Sequence, residues 1–211
     1  MPVTDVTVSS FGARTSWLAL GNAEVLESLV HELQLVGLRP CEWGEGLNEA
    51  SSEGIFITPR ISGWRLIVGL TLPDASSDHM LSLMVRLSEK YGSAQYFGNH
   101  RVTDYYAWAR ADAGRLVRAY AYIGAQNGVV WDRGELTKEE VELGMHFEDI
   151  EIHVPEDSKS VLETLQHLKA HPKRRPEESD VFAIARKWSV DPTEIEEYEI
   201  EDSLGLIGYL G

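Results

Sequence analysis

Residues 104–123, DYYAWARADAGRLVRAYAYI, decide the fold of this chain. Two runs, Tyr105 to Ala111 and Arg115 to Ile123, flank a tip at Asp112-Ala113-Gly114. In the first, Tyr106, Trp108 and Arg110 share a face. In the second, Leu116, Arg118, Tyr120 and Tyr122 share a face, opposite Val117, Ala119, Ala121 and Ile123. A period of two on both sides of a glycine-containing tip specifies an antiparallel hairpin.

The surrounding sequence adds strands and helices in mixed order. Upstream, Trp17 to Leu20 reads as a strand. Asn22 is placed to cap a helix whose stripe is Leu26, Leu29, Val30 and Leu33, with Gly37 as its stop. Leu38 to Trp43 reads as a strand and residues 44–54 as a Gly/Ser/Glu loop. Ile55 to Thr58 and Trp64 to Leu70 read as paired strands around the turn residues Pro59, Ser62 and Gly63. A helix is expected from Asp78 to Tyr91, ended by Gly92, with a strand from Ala94 to Phe97.

Downstream of the hairpin, Val129 to Trp131 reads as a further strand, and Thr137 to Glu140 has the T-x-x-E spacing of a capping box. Residues 148–157 read as acidic and irregular or extended. Val161, Leu162, Leu165 and Leu168 form a helical stripe ending near His171-Pro172. Val181, Ile184, Ala185 and Trp188 form another, and Asp191-Pro192-Thr193-Glu194 reads as a helix start. Hairpin-paired strands with irregularly interspersed helices imply an α+β fold. The expectation is one domain over residues 1–211. It would have a mainly antiparallel sheet, helices on one face, and a helical C-terminal segment over 159–202 that either packs on the sheet or stands as a subdomain.

The chain carries 34 acidic against 19 basic side chains, a net charge of −15. Such a balance repels nucleic acid and anionic membranes and attracts cationic partners. Six Trp, eight Tyr and five Phe within a 43% hydrophobic composition supply enough apolar surface for a core, which argues against global disorder. No run approaches the roughly 18 apolar residues of a membrane span. Met1 to Ser10 lacks the basic and apolar regions of a secretory signal, so a cytoplasmic location is expected.

Catalytic and cofactor motifs are absent from the sequence. It has no G-x-S-x-G, no phosphate-binding glycine loop and no H-E-x-x-H, so no catalytic residue, metal site or cofactor is assigned. His167 and His171 lie four apart, but Pro172 interrupts any helix that would present them together. Cys41, the only cysteine, sits beside Glu42. An acidic neighbour raises a thiol pKa, so Cys41 reads as a small buried residue rather than a nucleophile.

Two features remain as interaction candidates. Trp108, Tyr120 and Tyr122 belong to a dense aromatic group that either fills a sheet face or stands exposed, and Tyr and Trp are enriched at binding hot spots. Glu194, Glu197 and Glu201 recur at helical spacing, where like charges cost stability.

The segments Gln95-Tyr96-Phe97-Gly98, Tyr106-x-Trp108-x-Arg110, Gly114 to Tyr122, Trp131-x-x-Gly134-Glu135-Leu136-Thr137 and Asp180 to Pro192 resemble a group of uncharacterised bacterial proteins. The resemblance is closer in the second half of the chain than in the first. In size, acidity and aromatic content the chain also resembles immunity proteins of antibacterial toxin systems. That resemblance implies an inhibitor that neutralises a cognate, basic toxin by protein–protein contact, with no nucleic-acid or membrane partner. The alternatives are an enzyme with a sheet-edge cleft using Arg110 or Arg118, or a structural or adaptor protein.

Overall fold

The computed structural model describes residues 7–24, 26–126, 128–145, 147 and 175–211. Nine strands form one sheet: β1 Thr15–Gly21, β2 Leu35–Cys41, β3 Gly54–Ile57, β4 Trp64–Val68, β5 Ser93–His100, β6 Tyr105–Asp112, β7 Arg115–Ile123, β8 Gly128–Arg133 and β9 Gly205–Leu210. Their order is β2-β9-β3-β4-β1-β5-β6-β7-β8, and every pairing is antiparallel. The described helices are α1 Glu27–Glu32, α2 Trp43–Ala50, α3 His79–Tyr91, α4 Lys138–Glu142 and α5 Glu178–Trp188. The fold is α+β, as the hairpin implies.

Helices pack on both faces of the sheet, where the sequence suggests one. The alternation within the hairpin is what permits this. On one face β6 and β7 present Ala107, Ala109, Ala111, Ala119 and Ala121, all fully buried. These small side chains let α3 lie close, with Met80, Leu83, Met84 and Leu87 buried in the same cluster. On the opposite face the same strands present Tyr106, Trp108 and Tyr120, which share a second buried cluster with α5 residues Val181, Ile184, Ala185 and Trp188. Each full apolar burial of this kind contributes about 1.5–3 kcal/mol. Trp17 anchors the centre of this second layer, stacked on Phe97 at 5.2 Å and on Phe182 at 6.2 Å.

Local backbone chemistry explains where the elements depart from expectation. The hairpin turns through Ala113 (φ 46°) and Gly114 (φ 78°), a two-residue reversal that suits twisted strands. A register shift opposite Arg110 and Ala111 leaves Val117 as the extra residue, so Leu116 pairs with Ala111 and joins the α3 layer. The sequence places Leu116 with Arg118, and the bulge separates them. Asn22 does not cap α1. It turns the chain in a left-handed conformation (φ 52°), and α1 starts after Leu26.

Gly37 does not end that helix either. The helix stops at Leu33, Gln34 takes the left-handed turn, and Gly37 (φ 66°) lies in the bulged β2 strand. Residues 44–54 are not a loop: Trp43 to Ala50 form α2, with Trp43, Gly46 and Ala50 buried against the sheet. The helix expected around Val161 to Leu168 lies outside the described residues, as do residues 148–157.

Strand β9 occupies a position its sequence does not announce. It inserts between β2 and β3, so Phe56 pairs with Ile207 and Leu35 with Leu210. β2 has β9 as its one ladder partner, and β3 pairs with β9 on one side and β4 on the other. Ending the chain after Ser203 is therefore expected to strip β2 and expose the edge of β3, abolishing a cooperative thermal transition. Near-ultraviolet circular dichroism through a melt checks this, and a transition as sharp as that of the full chain would contradict the topology.

Candidate functional site

The densest buried polar group lies at the β7–β8 edge. Two sequence features build it. The hairpin places Trp108 and Arg118 on one sheet face. The capping box starts α4 so that Glu140 points back at the strands. Thr137 Oγ1 accepts from Glu140 N at 3.2 Å, and Glu140 Oε2 accepts from Thr137 N at 2.8 Å.

The Glu140 carboxylate has three further contacts from the sheet. Trp108 Nε1 donates to Oε1 at 2.9 Å, and Arg118 Nε donates to Oε1 at 3.0 Å and Oε2 at 3.2 Å. Glu140 is 0% exposed and Arg118 3%. Arg118 Nη1 lies 2.6 Å from Asp132 Oδ1 and is also within hydrogen-bond range of the carbonyls of Ala119, Arg133 and Gly134. The capping box is legible in the sequence, but nothing in it shows that the cap's carboxylate is shared with Arg118 and Trp108. An arginine amid the aromatics of a strand was the available signal.

Charge burial on this scale is costly unless every group is engaged. Here both carboxylate oxygens accept charged or polarised donors, so Glu140 is a clamp holding α4 to the sheet. Stacked rings cover the pair. Trp108 lies on Tyr120 at 4.7 Å, Phe147 stands 5.1 Å from Tyr120, and the Arg118 guanidinium carbon lies 5.8 Å from the Tyr120 ring centre. Beside them opens a cavity of about 250 Å³ lined by Arg118, Tyr120, Asp132, Glu135, Met145 and Phe147, among others.

A second region lies where β1 begins and β4 and β5 end. A cleft of about 640 Å³ is walled by Phe11, Leu47, Val68, Leu70 and Phe182, with Arg14 and Glu178 among its polar residues. Glu178 accepts from Asn99 Nδ2 at 2.7 Å. Nearby, Tyr105, Tyr96 and Ser16 form a hydroxyl chain at 2.7 and 3.1 Å, and Ala75 N donates to Tyr105 at 3.1 Å. Burial pushes Tyr96 up to about 12 and Tyr105 well above its ordinary value, so both phenols stay protonated and serve as structural donors. Among the described residues, no group of three His, Cys, Asp or Glu side chains could hold a metal ion. His167 and His171 lie outside them. No described helix is long and apolar enough to cross a membrane.

The structure does not present the six proposed contact residues as one exposed surface. Trp108 is 0% and Tyr120 1% exposed, so these rings are core and offer almost no surface to a partner, while Tyr122 is half-buried. The three glutamates do not share a helix. Pro192–Glu197 forms 3-10 structure capped by the Asp191 side chain, and Tyr198 is already extended (φ −102°, ψ 152°). The tail then runs beside the Arg60–Trp64 turn, where Glu201 N donates to Arg60 O at 2.9 Å. Glu194 pairs with Arg186. Glu201 pairs with Arg60 at 3.1 Å and accepts from Gly63 N at 2.6 Å. Only Glu197 of the three is exposed and without an ion pair among the described residues. Hydrogen bonding to a distant turn overrode the helical spacing.

No family model, curated protein or solved structure matches the chain.

Two tests follow from this geometry. Glu140→Ala removes the buried one of the two carboxylates on Arg118, leaves the Trp108 indole without its acceptor, and is expected to cost about 3–5 kcal/mol. Arg118→Met combined with Glu140→Leu is expected to recover most of that loss. Urea unfolding of the single and double variants checks both, and a double variant as unstable as Glu140→Ala would refute the clamp. At Cys41, burial first and Glu45 second push the thiol up to about 11. Native protein at pH 8 should therefore react with a chromogenic disulfide reagent far more slowly than urea-unfolded protein, and equal rates would contradict it.

Proposed function

We propose that this protein is a non-catalytic acidic binder of the immunity type, which captures a basic protein partner such as a toxin domain. The observation carrying this reading is an excess of acidic charge, with most of the described cations already held in ion pairs. Arg39, Arg60, Arg65, Arg86, Arg133 and Arg186 are each already paired with a carboxylate. Glu196, Glu197 and Glu199 are exposed and have no ion pair among the described residues. Uncompensated acids on one short stretch of surface accelerate encounter with a cationic partner and reject anionic ones.

The buried clamp supports binding over the enzyme alternative, because Glu140 and Arg118 are occupied in holding the fold. The contact surface assigned here differs from the sequence expectation. Glu197 stays in it with Glu196 and Glu199, while Glu194 and Glu201 hold internal contacts.

Tagged protein incubated with lysate of its own host, washed at low and high salt, should retain one basic partner in stoichiometric amount. Lysine at Glu196, Glu197 and Glu199 together is then expected to slow association about tenfold at low salt and to flatten its salt dependence. Stopped-flow mixing measures the rate. Unchanged association kinetics would remove the acidic stretch from the interface, and retention of nucleic acid or of an anionic protein would overturn the reading.

A further inference from the structure

We propose that the cavity lined by Ser16 and Tyr105 binds a small uncharged polyhydroxyl compound of monosaccharide size. The inference stands apart from the protein-partner reading and does not depend on it.

The cavity opens where β1 begins and β5 ends. Its volume of about 330 Å³ lies within the roughly 300–1,000 Å³ of small-molecule sites. Ser16 and Tyr105 are the two ends of the hydroxyl chain that runs through Tyr96, and both line the cavity. Three hydroxyl hydrogens serve two links in that chain. Tyr96 is 0% exposed, so an arrangement in which it accepts from both neighbours would strand its own hydrogen in the core. The chain therefore runs in one direction, and the spare hydrogen falls on Ser16 or on Tyr105. Neither end has a further acceptor among the described residues, since the other contact of Tyr105 is a donor, Ala75 N at 3.1 Å. Burial keeps both phenols protonated, so this donor persists at neutral pH. Hydrogen bonds in a chain polarise one another, which strengthens the donor at its end.

The same cavity holds acceptors. Asp74 accepts from Ser76 through Oδ1, and its Oδ2 has no donor among the described residues. Thr103 Oγ1 donates its one hydrogen to the His100 carbonyl at 3.1 Å and lies 2.9 Å from His100 Nδ1. It therefore accepts from Nδ1–H, which leaves Nε2 of the neutral ring as an acceptor. Arg14, exposed and without an ion pair among the described residues, adds donors.

The charges of Arg14 and Asp74 cancel, in a chain whose net charge is −15. An anion would meet Asp74 and the field of the whole protein, and a cation would meet Arg14. A neutral ligand with several hydroxyls satisfies donors and acceptors together, because each hydroxyl both donates and accepts. Leu70, Leu72 and Ile123 supply apolar contact for its C–H groups.

Nuclear magnetic resonance titration of the intact protein tests the assignment. The probes are D-glucose, D-galactose, D-mannose and myo-inositol, with acetate and ethylammonium as charged controls. Saturable shifts at the amides of Ser16, Ala75 and His100 are expected with at least one polyol and with neither ion. Asp74→Asn and Arg14→Asn replace exposed side chains, and asparagine tolerates the left-handed backbone of Arg14 (φ 55°). Each should weaken the bound polyol about tenfold, the loss of one hydrogen bond to a charged group. Of Ser16→Ala and Tyr105→Phe, the one that removes the spare donor should weaken it by a similar factor and the other far less, which reads the direction of the chain.

No saturable shift with any of the polyols, or tighter binding of acetate or ethylammonium, would overturn the assignment. So would polyol binding that is unchanged in both asparagine variants, whose exposed positions carry the test even where Ser16→Ala or Tyr105→Phe unfolds the protein.

Discussion

Burial of the Glu140 carboxylate constrains everything at the β8 end of the sheet. A carboxylate at 0% exposure cannot persist alone in a low-dielectric interior. It persists here because three groups donate to it, the Thr137 amide, the Trp108 indole and the Arg118 guanidinium, while the Thr137 hydroxyl accepts from the Glu140 amide to close the reciprocal cap. The three donors come from different places in the chain order, so the clamp forms only when β6, β7 and α4 are all docked. The geometry that satisfies the charge also sets the register of the edge. It holds Asp132 on β8 against Arg118 and shapes the cavity beside them.

The two faces of the hairpin differ in side-chain size. Alanines on β6 and β7 let α3 approach, in a layer that also buries Tyr91, Tyr96, Tyr105 and Trp131. The other face of the hairpin carries Tyr106, Trp108 and Tyr120, and its layer holds the clamp, the Gln95 contact to the Trp188 carbonyl at 3.1 Å, and the Asn99 bonds to Gly12 and Glu178. The N-terminal segment is held on this face too, with Phe11 N bonded to Pro192 O at 3.0 Å and Ser9 O to the Trp43 indole at 3.0 Å. Helices on both faces leave little of the sheet for recognition. The proposed partner surface accordingly lies along the acidic tail, and the proposed ligand cavity where β1 begins and β5 ends.

Legibility in the sequence followed the range of the forces. The strands and helices with strong periodicity were readable: the hairpin, the Ile55 and Trp64 pair, α3 with its Gly92 stop, the Thr137 capping box and the α5 stripe. Segments whose conformation depends on distant partners were not. Trp43 to Ala50 reads as a loop by its glycines and is helical because Trp43 and Ala50 are buried against the sheet. The Glu194 to Glu201 stretch reads as a helix by its spacing and instead becomes extended beside the Arg60 turn. Among the candidate contact residues, the type of side chain was legible but its exposure was not. Period two states that Trp108 and Tyr120 share a face, and it cannot state that α5 and Phe147 cover them.

The sequence by itself determined an acidic α+β protein built on an antiparallel hairpin, because alternation, turn residues and helix caps act over a few neighbouring positions. The tertiary structure decided the place of β9 between β2 and β3, the helical layers on both faces, and the sharing of one buried carboxylate by Arg118, Trp108 and Thr137. Those outcomes rest on contacts between residues far apart in the chain. Their free energy comes from desolvation and from hydrogen bonds that exist only once the layers have closed.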